Sequence, residues 1–138
     1  MKTTLTTTGV TESVLYVDDL DRARDFYIEL LGAPIVRQHE RFAALKMNEN
    51  QVLLLFVRGA STSPTVLEGG TIPPHDGSGP HHICFGMAAH EVSLWEEKLD
   101  QLNLAIEGRV QWPSGAVSLY FRDPDGHNVE LATPGIWE

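Results

Sequence analysis

The feature that most constrains this chain is an order of hydrophobic periods that occurs twice. In the first half, residues 12–18 alternate at period two, and Leu20, Ala23, Phe26, Tyr27, Leu30 and Leu31 then recur at helical spacing. Asp18, Asp19 and Asp21 sit where that helix would begin, and their charge suits its unpaired backbone amides; Gly32 sits where a left-handed residue would end it. Strand-like runs follow at 33–39, 41–47 and 51–57, with Asn48-Glu49-Asn50 making the last turn. The second half repeats the order: a strand at 81–87, a helix around 91–102 with Val92, Trp95, Leu99 and Leu102 on one stripe, and strands at 104–112, 116–122 and 127–132. The chain therefore reads as α+β, two tandem βαβββ modules at about 11–58 and 81–134 within one domain spanning 1–138. Residues 59–80 are rich in Gly, Pro, Ser and Thr and read as a long connection without regular structure, serving as a spacer or as a lid.

Composition excludes several classes of function. Hydrophobic residues make up 42% of the 138, ample for a packed interior. Ten basic residues against nineteen acidic ones give a formal charge of −9, which would repel a phosphate backbone, so no nucleic-acid partner is expected. Cys84 is the single cysteine, and nothing near the start has the charged-then-apolar pattern of a signal peptide, so the reducing cytoplasm is the expected compartment. No apolar run approaches the roughly 20 residues needed to cross a bilayer, and membrane insertion is not expected.

Three strands each carry one metal-competent group: Glu12 opens the first, His82 lies at the start of the strand after Gly79-Pro80, and Glu130 follows the turn Asp123-Pro124-Asp125-Gly126. If Ile83, Phe85 and Met87 face the helices, then His82, Cys84 and Gly86 face the other way; Leu15 and Val17 likewise oppose Glu12, and Val129 and Leu131 oppose Glu130. All three candidate ligands fall on the face away from the helix. His75 and His81 compete with His82, although His81 points to the opposite face; His127 reads as a surface hydrogen-bonding residue, and His39 and His90 as surface positions. Cys84 has no neighbour that would activate it and reads as a buried, inert thiol. Arg37, Arg41, Arg109 and Arg122 are candidates for contacting an anionic substrate group.

The tandem βαβββ order, the opening Val14-Leu15-Tyr16-Val17-Asp18-Asp19-Leu20 with Asp25-Phe26-Tyr27 and Leu30-Leu31-Gly32, and the closing Asp-Pro-Asp-Gly-His-Asn-Val-Glu-Leu together resemble the vicinal oxygen chelate superfamily. The resemblance covers about residues 11–134. It implies that the two modules form a curved, cup-shaped mixed sheet around one divalent ion (Mn, Fe, Ni, Co or Zn), commonly in a homodimer. It places the ligands on Glu12, His82 and Glu130 and a substrate-facing tyrosine on Tyr120. A fourth position, used by glyoxalase I and the epimerase, falls on or beside Leu53, which neither binds a metal nor takes a proton. One histidine with two glutamates favours harder ions such as Mn(II) or Fe(II). The implied function is a glyoxalase-like lyase or isomerase acting on a small metabolite that chelates the ion through adjacent oxygens, with Glu130 or Glu12 doubling as proton shuttle. The alternatives are an extradiol-type dioxygenase or thiol transferase on the same site, and a metal-free drug-binding or metabolite-binding protein like the bleomycin-resistance members.

Overall fold

The computed structural model describes residues 3–138. Two compact units divide them, one running to Ser78 and the other from Gly79 to Glu138. In the first, strand β1 (Glu12–Val17) leads to helix α1 (Leu20–Leu31) and then to β2 (Ile35–His39), β3 (Phe42–Asn48) and β4 (Gln51–Val57). The four strands form a mixed sheet in the order β1-β4-β3-β2, with β1 parallel to β4 and the other pairs antiparallel.

The helix ends follow the chemistry read from the sequence. The Asp19 carboxylate accepts the backbone N–H of Arg22 at 3.1 Å, and Gly32 closes the helix at φ 66°, donating its N–H to the Ile28 carbonyl at 2.8 Å. Leu20, Ala23, Tyr27 and Leu30 on the inner stripe of α1 are buried, as are Leu15, Val17, Ala43, Leu45, Leu53 and Leu55 of the sheet, and α1 packs on β3 and β4. Helical and strand periods thus close on one core.

The connection after β4 contains more regular structure than its composition suggests. It forms a small hairpin, β5 (Thr65–Leu67) and β6 (Gly70–Ile72), and is tied back onto the first unit. Arg58 donates to the Gly77 carbonyl at 3.1 Å, the Asp76 carboxylate accepts Gly59 N–H at 2.9 Å, and His75 N–H donates to the Ser61 carbonyl at 2.9 Å. The His75 ring meets Tyr16 Oη at 2.7 Å and lies edge-on to Phe56. Anchors of this kind join residues far apart in the chain, 59 apart for His75 and Tyr16, and leave no trace in local periodicity.

The second unit repeats the topology of the first. Strand β7 (His82–Gly86), a short 3₁₀ turn at Ala89–Glu91, helix α2 (Val92–Gln101), and strands β8 (Gly108–Gln111), β9 (Val117–Arg122) and β10 (Asn128–Ala132) follow in turn. The sheet order is β7-β10-β9-β8, again with the first strand parallel to the last. Phe85, Leu119, Phe121, Val129 and Leu131 are buried on one face of this sheet, and Leu99 of α2 is fully buried. The two βαβββ modules of the α+β fold are therefore both present. Among the described residues, no helix is long and apolar enough to cross a membrane.

Candidate functional site

The turn before β10 is built by one carboxylate. Asp123, 6% exposed, accepts the backbone N–H groups of Asp125 and His127 through Oδ1, each at 2.9 Å. Gly126 takes φ 82° and donates to the Asp123 carbonyl at 3.0 Å, a backbone conformation that glycine adopts without strain. The turn delivers β10 in a register where Asn128 pairs with His82 and Glu130 with Cys84 on β7, while Glu130 also faces Tyr120 across β9. Alternation then puts His82, Cys84, Asn128, Glu130 and Tyr120 on the sheet face opposite the core.

His82 and Glu130 meet on that face. His82 Nε2 stands 3.3 Å from Glu130 Oε1, with the histidine side chain 52% exposed and the glutamate side chain 6% exposed. His82 Nδ1 lies 3.0 Å from the Asn128 carbonyl oxygen. A carbonyl only accepts, so Nδ1 carries a hydrogen and donates it; Nε2 is the nitrogen that faces the carboxylate. When Nε2 is unprotonated, two acceptor atoms face each other, and a cation or a proton between them resolves the conflict. A backbone carbonyl fixing the outer nitrogen is also the arrangement that orients a metal-binding imidazole. An imidazole nitrogen and a carboxylate oxygen 3.3 Å apart are donors of the types that divalent transition metals take, and the two would hold such an ion.

A second observation supports the fit. Glu130 Oε2 and Asn128 Oδ1 are buried and have no hydrogen-bond partner among the described residues. A buried carboxylate oxygen without a partner is costly, and coordination satisfies it. Around the pair, Tyr120 is held above the usual phenol range, first by burial and then by the Glu130 charge, and its ring lies 6.4 Å from that of His82. The Cys84 thiol is pushed up to about 12 by burial, with Glu130 adding to the shift. It remains a thiol at neutral pH; its sulfur is part-buried, but the residue as a whole is exposed where a buried position was expected.

Two cavities border this face. One of about 520 Å³ is floored by Cys84, Gly86 and Ala132 and walled by Pro134–Trp137; a methyl group on Gly86 would meet nothing within 4 Å. The other, about 150 Å³, lies along Tyr120, Asn128, Glu107 and Arg122.

The remaining candidates are distributed differently. Glu12 is exposed at the start of β1 in the first unit, paired in register with Val52. Among the described residues, no group of three His, Cys, Asp or Glu side chains gathers to hold an ion. Leu53 is 1% exposed in the helix-side core, so it is not on the Glu12 face. By the repeat, Glu12 opens β1 as His82 opens β7, and the counterpart of Glu130 is Leu54, two residues beyond Val52. Like Leu53, it cannot ligate. His75 bonds to Tyr16, His39 stacks on Phe42, Arg109 pairs with Glu96, and Arg122 pairs with Glu107. His127, expected at the surface, is completely buried because its ring fills the space under the His81 ring and accepts His81 N–H. Sequence reasoning also passed over Asn128, although its position two residues before Glu130 assigns it to the same face.

The chain is similar to a solved structure of lactoylglutathione lyase from Agrobacterium tumefaciens, with 32% identity and a TM-score of 0.85 over 95% of this chain and 97% of that one. It is 27% identical over 131 residues to the metallothiol transferase FosB of Bacillus licheniformis, covering 94% of this chain and 78% of the relative. It is 29% identical over 117 residues to the glutathione transferase FosA of Serratia marcescens, covering 85% of this chain and 74% of the relative. With the family model matching residues 9–131, the chain belongs to the glyoxalase/bleomycin resistance protein/dioxygenase superfamily.

Proposed function

We propose that this protein is a divalent-metal-dependent, glyoxalase-like enzyme of lyase or isomerase type, acting on a small metabolite with adjacent oxygens. The observation that carries the reading is the His82–Glu130 pair at 3.3 Å, with the glutamate side chain 6% exposed. His82 and Glu130 hold the ion, in a single cytoplasmic domain that assembles as a homodimer. The ion, one of Mn, Fe, Ni, Co or Zn, supplies Lewis acidity that stabilises negative charge developing on chelating oxygens.

This chain's own groups supply the rest. Tyr120, protonated at neutral pH, donates a hydrogen bond or a proton toward a substrate oxygen on the open face. Glu130 is the proposed proton shuttle, at a carboxylate oxygen that the ion leaves free. The Gly86–Ala132 cavity takes the apolar part of the substrate. Cys84, held as a thiol, is not the nucleophile.

A second reading, thiol transfer to a small electrophile, is favoured by the FosB and FosA relatives, which match 94% and 85% of this chain. The thiol would then come from a co-substrate. Calorimetric titration of Mn²⁺, Ni²⁺ and Zn²⁺ into chelator-stripped protein tests the site shared by both readings. Saturable binding in the wild type that is lost in His82→Ala is expected; no binding of any of the three ions overturns both.

A further inference from the structure

The residue immediately after the turn glycine is tied to the histidine before β7. His127 is fully buried, and its Nδ1 accepts the backbone N–H of His81 at 2.7 Å, so the ring hydrogen sits on Nε2. Its ring lies parallel to that of His81, with centroids 4.3 Å apart and planes 12° apart. His127 is itself fixed by the turn, since its N–H donates to Asp123 Oδ1 at 2.9 Å. The next residue completes the grip: Asn128 N–H donates to the His81 carbonyl at 2.8 Å, and the Asn128 carbonyl accepts from His82 Nδ1 at 3.0 Å.

We infer that His127 is a positioning residue for His82: its buried imidazole holds the His81 amide, registers the first turn of β7 against β10, and thereby aims His82 Nε2 at Glu130. The inference rests on the metal-site reading above. His82 forms the terminal pair of the ladder, where strands fray, and its side chain is half exposed. Asn128 holds its ring through Nδ1, and that contact survives only while the strand end stays in register. His127 adds a second hold to the hydrogen bond from Asn128 N–H to the His81 carbonyl, and it acts on the residue that precedes the strand. A ring that merely filled volume would not need an acceptor nitrogen at 2.7 Å from an amide.

Two substitutions separate positioning from packing. His127→Phe keeps the ring and its stacking on His81 but removes the acceptor; His127→Gln keeps an acceptor oxygen. In ¹⁵N-labelled, chelator-stripped protein, the wild-type His82 ring is expected to keep a hydrogen on Nδ1, with slow exchange of the His81 amide. His127→Phe is expected to mix the His82 tautomers and to weaken Zn²⁺ binding about 10–100-fold, the range typical of groups that orient a ligand. His127→Gln is expected to recover most of both. A folded His127→Phe with the wild-type tautomer and Zn²⁺ affinity overturns the inference. So does a His81 amide in the wild type that exchanges as fast as an unprotected one, whether or not the Phe variant folds. A wild type that binds no Zn²⁺ refutes the metal site instead, while the tautomer and exchange comparison still decides the positioning.

Discussion

Glu130→Gln should make the metal-free protein no less stable and the metal-loaded protein less stable, so that the order of stabilities reverses when metal is added. In the metal-free protein the Glu130 carboxylate is 6% exposed and Oε2 has no partner among the described residues, a burden of about 1–3 kcal/mol. Its contact with His82 at 3.3 Å gives back at most about 1 kcal/mol, because the histidine side chain is 52% exposed and solvent screens the pair. A Gln amide leaves a polar atom at that place but sheds the charge, which is costlier to bury than an amide, so the exchange gains about 0–2 kcal/mol in chelator. An ion at a hundred times its Kd stabilises the wild type by about 2.7 kcal/mol and leaves a variant that cannot bind it unmoved. The wild type should then lead by about 1–3 kcal/mol, or several degrees in Tm for a chain of this length. Thermal unfolding in EDTA and in saturating Mn²⁺ or Zn²⁺, for both proteins side by side, measures the reversal. A variant more than about 1 kcal/mol less stable than the wild type in EDTA, or one with the same metal response, would refute the reasoning.

Other consequences are open to direct measurement. Asp123→Ala strands the buried His127 amide and the Asp125 amide and should cost about 2–4 kcal/mol by urea unfolding, whereas Asp123→Asn keeps the Oδ1 acceptor and should cost less than half as much; equal losses would contradict this account of the turn. Cys84, at about 12 against 9.0 for an ordinary thiol, should present about a thousandfold less thiolate at pH 8, so iodoacetamide should label it slowly and Glu130→Gln should speed the labelling; reaction at the rate of free cysteine would refute the assignment. The Asp76 carboxyl is held below its ordinary value of 3.8, mainly by the backbone N–H groups of Gly59 and Gly77. Its contribution is complete above that value and fades as pH falls through the lower folded one, so the Gly59 amide should remain protected at pH 5 and lose protection only below about 3.8. Loss already at pH 5 would show that the carboxylate does not hold the connection.

The parts of this fold legible in the sequence are those encoded by local period and local chemistry. The Asp19 cap, the Gly32 terminus and the alternation in β7 and β10 each follow from a few adjacent residues, and that alternation was enough to put His82 and Glu130 on one face. What could not be read depends on which strands become neighbours. The parallel pairing of β7 with β10 joins residues 46 apart in the chain, and only this pairing brings the Asn128 carbonyl to His82 and buries His127 beneath His81. For the same reason the fourth position, expected on or beside Leu53, could be narrowed to its neighbour only by the pairing of the strands. A one-residue difference in register moves a side chain to the other face, and pairing Glu12 with Val52 makes Leu54 the residue on the ligand face. The connection between the modules looked featureless because its anchors, Asp76 to Gly59 and His75 to Tyr16, are long-range hydrogen bonds rather than a pattern.

Metal content by plasma mass spectrometry on tag-free protein purified without chelator, with His82→Ala and Glu130→Gln prepared in parallel, bears most directly on whether this is a metal enzyme. One transition-metal ion per site in the wild type and little in either variant is the predicted result. A wild-type protein that carries no metal, and gains no thermal stability from added Mn²⁺, Fe²⁺, Co²⁺, Ni²⁺ or Zn²⁺, would contradict it and point to a metal-free binding protein on the same fold.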